Sequence, residues 1–342
     1  MKIELYSPGI KRKEMDAVLT VMVDEKIGPG EQAERFMLLA KERLNFDYAL
    51  SLRSPAIALY IALKALSLPP QSKVAVPAFC PKYYMNVLQA LGFSPLFCDS
   101  SPASPCVSEQ TILRAMENLE EKSLVKAVII TGSLGFLPDM KPIVELGLPV
   151  IEDVSCAFGS KFAEKLAGTY GVFTILGLEE RDALTAAGGA LLFSMEKRHS
   201  AVLRNFSDLP PECRLVDMNA AMASVQIKES VKNFEKRAEI AAVYTQAALK
   251  TRHKMFVIPD GFTYNNYAFP LVLESGLKDV CAYAKRKEIE IETAFAPPPQ
   301  EAPEGSLPQS SSLSMRAILL PMHPRLSAAA VERVSKFIQT LP

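Results

Sequence analysis

Leu148-Pro149-Val150-Ile151-Glu152-Asp153 is an apolar run that closes on two carboxylates. Consecutive apolar residues suit a strand buried on both faces, and the carboxyl ends of strands are where open parallel sheets bind ligands. Upstream of it, short β-branched or apolar runs alternate with stretches whose apolar residues recur at helical spacing. The reading gives strands at 48–51, 73–76, 94–98, 127–131 and 149–152, with helices at 54–66, 81–91, 108–119 and 140–146 between them. Such alternation builds strand-helix-strand units, so the expected class is α/β with a mostly parallel sheet.

Downstream, residues 217–249 read as one long helix, with Ala220, Val225, Ile227 and Val231 on one side and Lys228, Glu229 and Lys232 interleaved. It is expected to join a large unit, residues 1–235, to a small C-terminal α+β unit, residues 236–342. The small unit offers strands at 267–273 and 288–293 and helices at 277–287 and 327–339. Residues 296–314 carry Pro297-Pro298-Pro299, Pro303, Pro308 and a serine run from Ser310. That composition predicts a surface loop with little burial.

The chain has 342 residues, 49% hydrophobic and 22% charged, enough for one large core and a smaller one. Its 38 basic side chains balance 38 acidic ones, so no global field draws it to nucleic acid or to an anionic membrane. The N-terminus runs straight into polar residues and no stretch is long and apolar enough to span a bilayer, so a cytoplasmic protein is expected. Cys80, Cys98, Cys106, Cys156, Cys213 and Cys281 form no CxxC pair, which argues for buried free thiols over a zinc site or disulfides.

A series of local signatures runs through almost the whole chain. Lys26-Ile27-Gly28-Pro29-Gly30 precedes a helix containing Glu34-Arg35-Phe36. Leu59-Tyr60-Ile61-Ala62-Leu63-Lys64-Ala65-Leu66 is followed by Val74-Ala75-Val76-Pro77-Ala78-Phe79. Gly135, Asp139-Met140, the run ending at Asp153, Gly159, the segment 214–227 and Leu320-Pro321-Met322-His323-Pro324-Arg325-Leu326 complete it. In this order they resemble the DegT/DnrJ/StrS family of pyridoxal phosphate (PLP)-dependent sugar aminotransferases. The resemblance implies an aspartate-aminotransferase-like, fold type I PLP-transferase with a large α/β/α sheet domain and a small C-terminal α+β domain. It also implies a homodimer with sites at the interface, PLP as cofactor and nucleotide-linked keto sugars as substrates.

Carried over residue by residue, the resemblance assigns Asp153 to the acid beside the pyridine nitrogen. It assigns Ser54, with Pro55 and Ala56, to the phosphate cradle, where proline removes an N–H and alanine a hydroxyl. Pro81 falls at the position of the ring-stacking aromatic, with Phe79, Tyr83 and Tyr84 close by as substitutes. Cys156 falls at the glutamine after the acid, and Glu212, before Cys213 and Arg214, at the asparagine that reaches the partner's phosphate. Counting back from Gly188-Gly189, the lysine that anchors the cofactor falls on Arg181, and no lysine occurs between Lys165 and Lys197. A guanidinium stays protonated and is a poor nucleophile. Asp182 beside it is a candidate base, Lys82 a displaced amine, and Arg181 itself a ligand for a small anion. None of the three histidines, His199, His253 and His323, lies at the anchor position. The expectation is a catalytically degenerate homologue, a pseudoenzyme with a binding, regulatory or partner role in nucleotide-sugar or polysaccharide biosynthesis. The competing expectation is an active PLP- or PMP-dependent aminotransferase or dehydratase with a displaced catalytic group.

Overall fold

A computed structural model of the chain describes residues 2–117, 119, 121–274 and 276–342. Its main sheet has seven strands in the order β1-β9-β8-β5-β4-β2-β3. These are β1 (Tyr48–Leu52), β2 (Lys73–Pro77), β3 (Ser94–Cys98), β4 (Val125–Thr131), β5 (Val150–Asp153), β8 (Phe173–Gly177) and β9 (Ala190–Ser194). Strands β6 (Lys161–Phe162) and β7 (Lys165–Leu166) form a short hairpin outside it. Within the sheet β9 alone runs antiparallel to its neighbours. The sequence pattern finds the first five strands; β8 and β9 lie beyond the stretch it reads as alternating.

Period-two alternation assigns each strand's side chains to two cores. Val74, Val76, Ile129, Ile151, Ile175 and Leu192 share one core with α3 (Pro55–Ala65) and α4 (Tyr83–Ala90). On the opposite face, Leu176, Leu191 and Phe193 pack with α2 (Glu31–Leu44) and the first half of α8 (Asp217–Ala248). Ala75, Val128, Ile130 and Val150 pack there with α5 (Glu109–Glu117) and α6 (Met140–Glu145). Apolar residues at every position of these strands are what a sheet covered on both faces requires. The helix expected at 108–119 is described to Glu117; Asn118 lies outside the described residues. Helices α1 (Arg12–Val23) and α7 (Lys197–Arg204) complete this part.

Halfway along α8 the core changes. Ile240, Tyr244, Ala247 and Ala248 pack with β11 (Phe269–Val272), β13 (Ala317–Leu320), α9 (Leu277–Arg286) and α11 (Ala328–Gln339), and Ile3 joins them from the N-terminus. A short β10 (Phe262–Thr263) pairs with β6, and β12 (Glu292–Thr293) completes a sheet ordered β11-β13-β12. Strand β12 is shorter than the expected 288–293. Along α8, Ala220 and Ile227 are buried as the periodicity predicts, but Val231 is 41% exposed. The buried stripe continues instead through Ser230 and Arg237 to Ile240.

The expected loop at 296–314 needs correction, because its second half is α10 (Pro308–Arg316), with Ser310 and Leu313 buried. Pro308 stands in the first turn, where a missing N–H costs nothing. Asp99 accepts from the Gln309 and Ser310 N–H groups at 2.9 and 2.8 Å and from the Ser310 hydroxyl at 2.6 Å. The cap thus comes from a distant loop, which local composition cannot reveal. The expectation of buried cysteines also holds only in part. Cys98 and Cys106 are buried, Cys80, Cys156 and Cys213 are intermediate, and Cys281 is exposed; all six are free.

Candidate functional site at the carboxyl end of β5

Glu152 and Asp153 end β5, and the pleat sends them to opposite faces. Glu152 accepts from the backbone N–H groups of Gly168 and Tyr170 at 2.9 and 2.7 Å, and from that of Gly171. It fixes the loop after β7. Burial raises its pKa, and the three backbone N–H groups act against that rise.

Asp153 is only 2% exposed. Its Oδ2 accepts from the Tyr83 and Tyr84 hydroxyls at 2.9 and 2.8 Å. Its Oδ1 accepts from the Ser155 N–H at 3.0 Å and from the Ser155 hydroxyl. A carboxylate has about four acceptor positions, and four donors meet this one. Thr131 Oγ1 lies 3.0 Å from the Tyr84 hydroxyl, extending the network to the end of β4. Burial, then the Asp153 charge, raises the pKa of both phenols well above the usual tyrosine value, so they remain donors at neutral pH. Tyr83 and Tyr84, read from sequence as substitutes for a stacking ring, instead hold this acid.

Ser155 Oγ also accepts from Gly177 N at 2.8 Å. A Cβ built on Gly177 would lie 2.4 Å from Asp182 Oδ2, 2.7 Å from Ser155 Oγ and 3.1 Å from Pro55 Cγ. Glycine is therefore required at 177, and the point gathers the start of α3, the end of β8 and Asp182. Asp182 Oδ2 accepts from Glu179 N at 2.7 Å. Burial, with the nearby charges of Asp153 and Glu179 adding to it, raises the Asp182 pKa to about 8, against the backbone bond. The Cys156 thiol is raised well above its usual value by burial and then by Asp182 and Asp153, which leaves it a poor nucleophile.

Arg181 turns the other way. Its guanidinium is 59% exposed and donates to Glu292 Oε1 on β12 at 2.7 Å, beneath a cation–π contact with Tyr6. The Tyr267 hydroxyl donates to the Arg181 carbonyl, and the Tyr6 hydroxyl to that of Glu180. This loop is thereby tied to both the N-terminus and the second sheet.

The remaining expected positions fall in several places. Ser54 caps α3, its Oγ accepting from Ile57 N at 3.4 Å, with Pro55 next in the first turn. Ala56 packs against the core on that face of the sheet. Glu212 is exposed in the turn Pro211–Cys213, which Arg53 N ties to β1 by a bond to the Cys213 carbonyl. Gly189 has φ +116°, and a Cβ there would meet Leu215 at 2.4 Å, as the close-packing reading of the glycine pair predicts. His253 and His323 are buried, bonded near Glu274 and Glu4. Pro81, Lys82 and Cys156 line a half-open cavity of about 740 Å³ between the main sheet and residues 294–301.

Sequence reasoning did not find Ser155, Thr131, Gly177 or Tyr267. Only Ser155 carries a local signal, since a serine two residues after an aspartate commonly closes such a turn.

The chain belongs to the DegT/DnrJ/EryC1/StrS aminotransferase family, whose model matches residues 8–339. It is 25% identical to dTDP-4-dehydro-2,3,6-trideoxy-D-glucose 4-aminotransferase of Saccharopolyspora spinosa, with 98% of this chain and 96% of that protein covered. It is 26% identical to GDP-perosamine synthase of Escherichia coli O157:H7 over 71% of this chain and 70% of that one. The crystal structure of the aminotransferase TlmJ from Streptoalloteichus hindustanus superposes with a TM-score of 0.88 at 22% identity, covering 98% of each chain. The fold is that of the fold type I PLP-dependent aminotransferases. Among the described residues no helix is long and apolar enough to cross a membrane.

Proposed function

We propose that this chain is a sugar-aminotransferase homologue that no longer transaminates and that works as a binding, regulatory or partner subunit in nucleotide-sugar or polysaccharide biosynthesis. The observation that carries this reading is the filled carboxylate of Asp153. A protonated pyridine nitrogen needs a free acceptor on that acid, and Tyr83, Tyr84 and Ser155 take up all of its acceptor positions. The residues at the two other anchor points fit PLP no better. Arg181 offers no nucleophilic amine and faces Glu292. Ser54 spends its hydroxyl on its own helix, followed by a proline without an N–H.

In this reading Asp153, Ser54, Ala56, Pro81, Cys156, Glu212 and Arg181 are inherited positions, several of them changed. The chain divides near residue 235 within α8 and acts as a cytoplasmic homodimer. The competing reading, a working PLP or PMP enzyme, draws on Lys82, an exposed amine in the cavity wall.

Adding PLP, recording the visible spectrum and mapping any adduct after borohydride reduction tests both. Once unbound PLP is removed by gel filtration, the proposal expects no protein-bound absorption band and no lysine modified in stoichiometric yield. An adduct on Lys82 or any other lysine that supports amino transfer to a keto sugar overturns it.

A further inference from the structure

We infer that a second cavity, beyond the turn Ser133–Gly135, binds an amphiphilic amine, an apolar ring or short chain that carries one ammonium group. Its volume is about 440 Å³, within the range of pockets that enclose small molecules. It shares no lining residue with the cavity beside Pro81 and Cys156, so it does not depend on how the Asp153 site is read.

The loops after β3 and β4, the segment 257–264 and Phe162 on β6 build it. Val107 and Phe136, both buried, close its inner end. Phe162 and Phe262 are partners across the β6–β10 pair, and their rings stack at 4.3 Å with planes 24° apart. The Tyr264 ring lies 4.5 Å from that of Phe136. Val257 and Ile258 also line the space and are 61% and 49% exposed, large apolar side chains left open to water beside an apolar interior.

Most polar groups of the lining are spent on their own loops. The Ser104 and Ser108 hydroxyls accept from Cys106 N at 3.2 Å and Thr111 N at 3.3 Å, and the Tyr264 hydroxyl donates to the Ala268 carbonyl at 2.8 Å. The two carboxylates are open. Asp139 uses Oδ1 alone, accepting from Lys141 N at 3.1 Å, and Asp260 has no hydrogen bond or ion pair among the described residues. Both are exposed and so stand at the mouth, and no lysine or arginine is among the lining residues. An anion would be repelled there. An ammonium joined to an apolar body suits both halves, since its carbons bury against the rings and its N–H donors meet groups that only accept. Among the described residues no group of three or more His, Cys, Asp or Glu side chains is placed to hold a metal, which leaves the organic cation.

The probe is 2-(1-naphthyl)ethylamine, read by fluorescence anisotropy at low salt; the chain contains no tryptophan to obscure its emission. The matching naphthyl alcohol and naphthyl acetate keep the rings and change the charge. Saturable binding is expected, with the amine about 2- to 30-fold tighter than the alcohol, as two exposed charge pairs allow, and the acetate weakest. Raising the salt to about 0.3 M should narrow that preference. Asp139→Asn combined with Asp260→Asn should bring amine and alcohol to equal affinity and leave the alcohol unchanged, because asparagine keeps both the shape and the α6 cap. Ile258→Asn should weaken all three probes about 2- to 10-fold by removing apolar contact.

Equal binding of amine and alcohol by the parent, tighter binding of the acetate, a preference for the amine that survives the double substitution, or non-saturable uptake would each overturn the inference. The salt dependence of the parent tests the role of charge even if the double variant fails to fold.

Discussion

Glu152 and Asp153 are neighbours, both acidic and both buried, yet they are held in different ways. Backbone N–H groups of one loop hold Glu152, so its environment follows from the fold. Side-chain hydroxyls supply three of the four donors to Asp153, two of them from a helix that begins 70 residues earlier. What backbone atoms hold is preserved while the fold persists. What side chains hold can be remade by a few substitutions while the architecture stays.

Five substitutions probe that contrast. Glu152→Ala orphans three backbone donors and should cost on the order of 3–5 kcal/mol, read as a lower urea midpoint with an unchanged slope. A loss below about 1 kcal/mol would show that water serves the loop equally well.

Asp182 tests the electrostatics of the Asp153 side. Its folded pKa of about 8 stands above the ordinary 3.8, so the folded state holds a proton that the unfolded state releases between those values. The stabilisation is complete below about pH 4 and lost as pH rises through about 8, at up to about 1.4 kcal/mol per pH unit. Between pH 6 and 8 the parent should lose roughly 2 kcal/mol, whereas Asp182→Asn should give a flatter profile over that interval. Parallel profiles would place the proton elsewhere.

Tyr83→Phe removes one of the four donors to Asp153 and should cost about 1.5–2 kcal/mol, with Phe preserving the packing. Calorimetry of this variant beside Tyr84→Phe would show whether the two phenols contribute equally. Arg181→Ala breaks an exposed pair with Glu292 and should change stability by less than about 1 kcal/mol. A larger loss would mean that the guanidinium packs on Tyr6 more than it pairs.

The sequence made the sheet legible where apolar residues alternate between two covered faces, as in Val74-Ala75-Val76 and Val128-Ile129-Ile130. It made α10 illegible because the cap is Asp99, about 210 positions away. At the site, Asp153 was legible from its place at a strand end, whereas the assignment of Arg181 rests on its spacing to the glycine pair alone. Their surroundings were not legible. Which way Arg181 faces depends on Glu292, 111 residues on, and what fills Asp153 depends on where the first turn of α4 aims two phenols.

The four donors on Asp153 bear on how this lineage can evolve. On the proposed reading, a codon change placing lysine at 181 would supply an amine, yet Asp153, the acid assigned to the pyridine nitrogen, would still be occupied by Tyr83, Tyr84 and Ser155. Reversion would need several changes together, and the first of them would break hydrogen bonds that now stabilise the protein. On that reading, selection for stability alone would work as a ratchet against the return of transamination.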